Sequence, residues 1–181
     1  MNDPTDAFLG FNLVKGLGPV RLQRLLAAFG DAGRAWAAAP GDLLAAGLEP
    51  KVVESLLVTR KSFDPAALQA RLAALGATVL TWADSGYPDR LRQIDGAPPV
   101  LYVLGEVSPA DDWAVAVVGT RQVTAYGREV TTRLAGDLAR SKVTVVSGLA
   151  RGVDTLAHRA ALDAGGRTIA VLGSGLDQLY P

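Results

Sequence analysis

Hydrophobic positions in the first 76 residues recur at helical spacing. Residues 19–29 carry apolar side chains every three or four positions and begin with a proline, which a helix tolerates in its first turn. Shorter helices are predicted over residues 7–15 and from Asp42, Pro50 and Asp64, with Asp42 and Asp64 as N-caps. We therefore predict a small all-α domain over residues 1–76.

The hydrophobic pattern changes after residue 76, where short β-rich runs replace the helical spacing. Residues 78–82 and 100–104 are predicted strands bounded by glycine and proline. Three continuous apolar runs follow, at residues 114–118, 143–146 and 168–172. Continuous apolarity is typical of strands that are covered on both faces in a parallel sheet.

Two predicted helices, near residues 126–141 and 153–164, connect the three apolar runs. The fold class is therefore α/β, with a Rossmann-like parallel βαβαβ sheet over residues 77–181 after the helical domain. Three parallel strands form only part of such a sheet. We expect this second domain to be incomplete at its C-terminal end.

Composition narrows the classes of function. The chain has 18 basic and 18 acidic residues, one histidine and no cysteine, which excludes disulfides, thiolate chemistry and multi-histidine metal centres. No apolar run reaches the ~20 residues of a membrane span, and the polar N-terminus does not resemble a secretory signal. We expect a soluble cytoplasmic protein without a metal or a membrane partner. Residues 113–181 carry eight basic and five acidic side chains, so a nucleic-acid surface would be a local groove.

Glycine-containing loops follow each of the three predicted parallel strands. These loops are Gly119-Thr120-Arg121, residues 147–152 and residues 173–175. Ligands of such sheets bind outside the carboxyl ends of the strands, where glycine allows close approach and helix N-termini supply N–H donors. Because Arg121 and Arg151 add positive charge, a phosphate group is the expected ligand. The alternative is that these glycines only form tight turns.

Two enzymatic interpretations have little support from the residues. A dinucleotide site would need G-x-G-x-x-G in the first loop and an acid where Ser147-Gly148 stands, so no nucleotide cofactor is predicted. A hydrolase triad of Ser147, His158 and Asp154 lacks the G-x-S-x-G turn. Asp154 and His158 lie four residues apart on one helix, which favours a structural role at the helix start.

The N-terminal domain contains a second candidate site. Its segment of residues 13–19 resembles the turn of a helix–hairpin–helix, in which backbone amides near Gly16 and Gly18 can hold a DNA phosphate beside Arg21. A glycine-rich turn in a protein-interaction module of the sterile-alpha-motif type is an equal alternative.

The second half of the chain resembles the DNA-processing protein A (DprA/Smf) family. The segments that carry this resemblance are residues 117–121, Tyr126-Gly127, residues 147–154, Ala157-His158, Ala161-Leu162, residues 165–172, residues 175–177 and Tyr180-Pro181, with Tyr87-Pro88 and residues 99–102 upstream. The resemblance implies a homodimeric single-stranded-DNA-binding protein, without a cofactor or enzyme activity. Such a protein protects incoming DNA and loads RecA recombinase in natural transformation.

The resemblance also implies which residues bind DNA. These residues are Gly119, Thr120, Arg121, Ser147, Gly148, Leu149 and Arg151. Arg121 matches the DNA-contacting arginine of the family, and Ser147-Gly148 match its second contact loop. Family members continue beyond the position of Pro181 with further strands and another basic, aromatic DNA-binding segment.

An alternative function is a nucleotide phosphoribohydrolase of the lysine-decarboxylase-like (LOG) group, which has a similar glycine-rich loop. Its Pro-Gly-Gly-x-Gly-Thr signature with a catalytic glutamate is absent from these 181 residues. Binding of duplex DNA through residues 16–18 is a further alternative.

Overall fold

Proline begins most of the N-terminal helices in the computed structural model, which describes residues 3–178. The first six helices are α1 (Pro4–Asn12), α2 (Pro19–Phe29), α3 (Ala32–Ala37), α4 (Pro40–Ala45), α5 (Pro50–Ser62) and α6 (Pro65–Ala74). Proline suits this position because the first N–H groups of a helix have no intrahelical acceptor. The side chains of Asp3, Asp31 and Asp64 accept N–H groups at the starts of α1, α3 and α6.

The structure corrects several of the predicted helix positions. α1 begins and ends three residues before the predicted range of 7–15, because Asp3 caps it and Pro4 follows. Asp42 lies within the first turn of α4 and is not its N-cap. The six-residue α3 was not predicted, since so short a helix shows little periodicity.

The N-terminal helices pack around Trp36. The Phe11 and Phe63 rings meet this indole edge-on, with ring centroids 5.0 and 5.8 Å away. Gly10 lies so close that a Cβ atom there would come within 2.6 Å of the indole. The guanidinium of Arg60 lies over the Trp36 ring and donates hydrogen bonds to backbone carbonyls of α3 and its C-terminal end.

An antiparallel strand pair follows the helices. β1 (Ala77–Thr81) pairs with β2 (Val100–Leu104), and the short helix α7 (Asp89–Arg92) lies between them in sequence. The strand pair belongs to the same compact unit as the helices, which ends at Glu106, and a second unit begins at Val107. The domain boundary predicted between residues 76 and 77 falls within the first unit and stays a prediction.

The second unit contains the parallel sheet and confirms the predicted α/β class. Its elements are β3 (Ala114–Ala116), α8 (Ala125–Arg140), β4 (Thr144–Ser147), α9 (Val153–Asp163) and β5 (Thr168–Ala170). The strands lie in the order β3-β4-β5, and both pairs are parallel. Val145 of the central strand pairs with Val115 and Thr168.

Both connecting helices cover the same face of this sheet. α8 and α9 contact each other and also β4, with closely packed alanines such as Ala135 and Ala157 against Val145. Val115 of β3 is 42% exposed, and the last residues of β3 and β5, Ala116 and Ala170, are exposed as well. The expectation that the strands are covered on both faces is therefore wrong for the part of the chain that is described.

A single carboxylate joins the starts of the parallel strands. Asp111 lies in a 3-10 helix (Pro109–Asp112) just before β3 and accepts two hydrogen bonds from the Arg167 guanidinium, at 2.6 and 2.8 Å. It also accepts the hydroxyl of Thr144 at 3.0 Å. The Arg167 guanidinium lowers the pKa of Asp111 below its ordinary value. These contacts fix the amino ends of β3, β4 and β5.

Candidate functional site

The loops after the three parallel strands meet at the carboxyl edge of the sheet. There they surround a cleft of about 270 Å³, named here the strand-end cleft. Its lining includes Arg121, Gly148, Ala150, Arg151, Gly173 and Ser174. The structure thus brings Arg121, Gly148 and Arg151 of the predicted set together with the predicted loop after β5.

Two glycines allow the first loop to lie against the start of α9. A Cβ atom on Gly119 would come within 2.7 Å of the Val153 side chain. Gly152 has a φ of +95°, and a Cβ atom there would collide with the Thr120 carbonyl oxygen. The Val153 N–H donates to that same carbonyl at 3.2 Å. These contacts hold the backbone next to Arg121 in place.

The Thr120 side chain stabilises the turn after β3. Its hydroxyl oxygen accepts the N–H of Gln122 at 3.1 Å. Arg121 is exposed beside this turn. The turn therefore positions the backbone of Arg121 and leaves its guanidinium at the surface.

The side chain of Asp154 holds the loop after β4 through hydrogen bonds. One buried carboxylate oxygen of Asp154 accepts the N–H groups of Gly148 at 3.1 Å and Ala150 at 3.4 Å. Leu149 between them is half-buried and has a φ of 57°. The N–H groups of Gly148 and Ala150 are therefore used within the loop, which limits the donors it can offer to a phosphate.

Ser147 and His158 also have partners within the fold. Ser147 is buried, and its hydroxyl donates to the Val117 carbonyl at 2.6 Å. His158 Nδ1 lies 2.7 Å from the Thr168 hydroxyl oxygen, which itself donates to the Val145 carbonyl. The Thr168 oxygen can then only accept, so Nδ1 carries the proton of the neutral ring. Burial lowers the pKa of His158.

Ser147, His158 and Asp154 thus face separate partners and form no nucleophile–base pair. Asp154 binds loop amides at the start of α9, which confirms the structural role predicted for it. A hydrolase triad needs a hydrogen bond from the nucleophile to the base, and Ser147 makes its bond to a backbone carbonyl instead.

A second cleft of about 300 Å³ adjoins the strand-end cleft and is named here the α8–α9 groove. Arg121 and Arg151 line both clefts, and Arg128 of α8 and Arg159 of α9 line this groove as well. No acidic side chain of the described residues lines either cleft. Arg128 and Arg159 are not among the predicted site residues, because they lie on helices outside the glycine loops. Their signal is an exposed arginine within the first two turns of each connecting helix.

The N-terminal candidate residues lie together in one turn. Gly16 has a φ of +86°, and Gly18 precedes the first residue of α2. Arg21 donates to the Gly16 carbonyl at 2.9 Å and forms an ion pair with Glu49. Glu49 therefore compensates the charge of Arg21, and binding of DNA or of a protein at this turn stays a prediction.

Comparison with known proteins identifies the family. The sequence profile described as "DNA recombination-mediator protein A" (DprA) matches residues 78–181, more than half of the chain. The chain belongs to the DprA family. This assignment confirms the predicted resemblance. Tyr180-Pro181, which contributed to it, lie outside the described residues.

Individual DprA-family proteins resemble a larger part of the chain. Protein Smf of Synechocystis sp. is 38% identical over 181 residues, which cover 96% of this chain and 45% of that protein. The X-ray structure of DprA from Streptococcus pneumoniae matches with a TM-score of 0.77 and 30% identity, over 97% of this chain and 60% of that chain. The chain thus spans less than half the length of the Smf relative.

A second solved structure shares the DprA fold. It comes from work on the single-stranded DNA binding mode of DprA from Helicobacter pylori. The match has a TM-score of 0.50 and 33% identity, over 58% of this chain and 46% of that chain. Both proteins carry the name DNA processing protein A, which describes a role on DNA and specifies no enzymatic reaction. Between residues 3 and 178, the chain has no helix long and apolar enough to cross a membrane.

Proposed function

We propose that the chain binds single-stranded DNA at the strand-end cleft, with Arg121 as its principal contact. The observation that carries this proposal is the position of Arg121, which lines both clefts where no described acidic side chain offsets its charge. A guanidinium can form paired hydrogen bonds with a phosphate or with a base edge. The single-stranded DNA binding mode of the Helicobacter pylori relative supports the same ligand.

Of the other residues predicted to bind DNA, one contacts the DNA directly and the rest hold the loops in position. Arg151 lies at the rim of both clefts and contacts the DNA together with Arg121. Gly119 and Thr120 hold the first loop, while the buried Ser147 hydroxyl joins β4 to the backbone after β3. Gly148 and Leu149 shape the second loop over Asp154. Ser147 therefore acts through position and not through its own side-chain contact with DNA.

At the level of the cell, we propose that the protein processes incoming single-stranded DNA in natural transformation and passes it to RecA recombinase as a homodimer. The family description as a recombination mediator supports this role. The proposal needs no cofactor and no covalent step, because the site offers charge and shape complementarity to a nucleic-acid backbone.

Fluorescence anisotropy with labelled oligo-dT and a matched duplex, each at two salt concentrations, tests the proposed function. We expect preference for the single strand, weaker binding at higher salt, and a loss of more than about tenfold for Arg121→Glu. Arg133→Glu is the matched control, since Arg133 is an 84% exposed arginine of α8 that does not line either cleft. If the Arg121 variant binds with an affinity within about twofold of the wild type, the assignment of Arg121 to the DNA site is wrong.

A further inference from the structure

The α8–α9 groove extends the arginine surface beyond the glycine loops. Arg128 lies in the first turn of α8, Arg159 lies in the second turn of α9, and both are exposed. The groove also contains Arg121 and Arg151, so four arginines from two loops and two helices line one depression. These two helices pack directly against each other, which fixes the positions of Arg128 and Arg159 relative to the first loop.

The charges of Arg128 and Arg159 are not compensated within the fold. Neither side chain forms an ion pair or a hydrogen bond within residues 3–178. The other two arginines of α8 behave differently, because Arg133 and Arg140 both lie within ion-pair distance of Asp137. In α8, Arg133 and Arg140 therefore share one carboxylate, whereas Arg128 in the groove has no ion pair among the described residues.

Arg128 and Arg159 line this groove without an ion-pair partner among the described residues, and a bound anion would stabilise their charges. A phosphate group is the anion that best fits several planar guanidinium donors. Val123 and Leu156 add apolar surface to the same groove, against which a sugar or a base can pack. This combination of charge and apolar surface fits a polynucleotide better than a free inorganic phosphate.

We propose that the α8–α9 groove holds the next nucleotides of the same single strand that occupies the strand-end cleft, with Arg128 and Arg159 binding their phosphates. The inference rests on the proposed function. The two clefts share Arg121 and Arg151, so one strand can continue from the first into the second without leaving the arginine surface. The strand then leaves the sheet edge along the helices instead of ending at the loops.

The length of the bound oligonucleotide separates the two clefts experimentally. Labelled oligo-dT of about six nucleotides fills the strand-end cleft alone, whereas one of about 20 nucleotides reaches both clefts. The test variant is Arg128→Ala with Arg159→Ala. Its control is Arg133→Ala with Arg140→Ala, which removes two positive charges from α8 outside the groove. Thermal unfolding of all variants verifies that each one is folded.

We expect the test variant to bind the long oligonucleotide about tenfold more weakly, and the short one within about twofold of wild type. Losing two phosphate contacts should also reduce the slope of log affinity against log salt by about 1.4 for the long strand. The control variant should bind both lengths as the wild type does.

Three outcomes overturn the groove assignment. If Arg121→Ala weakens binding and the test variant does not, the strand-end site stands and the groove inference fails. If test and control variants lose affinity equally, general charge and not the groove explains the loss. If the wild-type chain binds no single strand at either length, the proposed function fails and the groove inference fails with it.

Discussion

The carboxylate of Asp154 accepts the backbone N–H of Gly148 at 3.1 Å, across the junction between β4 and α9. The same oxygen accepts the Ala150 N–H at 3.4 Å, so one buried side chain holds both sides of Leu149. Leu149 adopts a left-handed backbone conformation, which costs a non-glycine residue about 1 kcal/mol or more. Asp154 offsets this cost and fixes the loop that lines the strand-end cleft.

Asp154→Ala should therefore weaken both the fold and the binding of DNA. We expect a loss of about 1–3 kcal/mol in the free energy of unfolding, because two loop N–H groups lose their acceptor. Affinity for oligo-dT should fall several-fold as the loop moves. Asp154→Asn keeps an acceptor oxygen and should lie between the wild type and the alanine variant. Urea unfolding and anisotropy measure the two effects, and an alanine variant equal to wild type in both contradicts this role.

Gly152→Ala should destabilise the second unit more than an ordinary glycine substitution. The φ of +95° is unfavourable for alanine, and the added Cβ would also lie only 2.7 Å from the Arg121 Cα atom. Gly165→Ala separates the two causes, since Gly165 has a φ of +70° but no atom near its Cβ position. We expect about 1 kcal/mol for Gly165→Ala and at least about 2 kcal/mol for Gly152→Ala in urea unfolding. Equal losses of unfolding free energy for the two variants would mean that the added Cβ atom at position 152 causes no extra strain against the first loop.

The sequence was sufficient to predict the elements of the parallel sheet because each has a strong local signal. Apolar runs mark β3, β4 and β5, and the glycine turns between strand and helix predict which loops meet at the carboxyl edge. The α8–α9 groove has no such signal. Periodicity indicates which face of a helix is buried. It does not indicate that Arg128 and Arg159 line one groove, because that depends on how the two helices pack against each other.

The hydrogen-bond partners of the loop after β4 could not be predicted from the sequence either. Ser147 and Gly148 are small and follow a strand, which is typical of a ligand-binding loop. Only the structure shows that the Ser147 hydroxyl is buried against the Val117 carbonyl and that Asp154 accepts the Gly148 N–H. These bonds depend on the separation of two strands and on the start of α9, which local sequence does not determine.

Arg21→Ala should leave DNA binding almost unchanged. Arg21 is held by the Gly16 carbonyl and by Glu49, so its charge is compensated before any phosphate approaches. We expect affinity for both oligo-dT and duplex DNA to stay within about twofold of wild type in anisotropy. Arg24→Ala is the control, an arginine of the same helix α2. A loss above about fivefold for Arg21→Ala alone would instead support the helix–hairpin–helix interpretation.

The ion pair of Asp111 with Arg167 should make stability depend on pH in a defined direction. The guanidinium lowers the pKa of Asp111 in the folded chain below its ordinary value of 3.8. The pKa of Asp111 is therefore higher in the unfolded chain, so the unfolded chain takes up the proton first as the pH falls. The contribution is therefore complete above about pH 5 and is lost as the pH falls through the folded-state pKa.

Asp111→Asn removes this titration and the charged partner of Arg167 together. Near neutral pH we expect a loss of about 1–3 kcal/mol, because the carboxylate is largely buried and accepts hydrogen bonds from both Arg167 and Thr144. The difference from the wild type should shrink as the pH falls below about 4, where protonation removes the same charge from the native protein. Urea unfolding at several pH values measures both curves. Asp89→Asn provides the control, since Asp89 is 85% exposed and lies 3.9 Å from Arg92, and it should change stability by less than about 0.5 kcal/mol. A constant difference between Asp111→Asn and the wild type down to the lowest pH would contradict the assigned role of the charge.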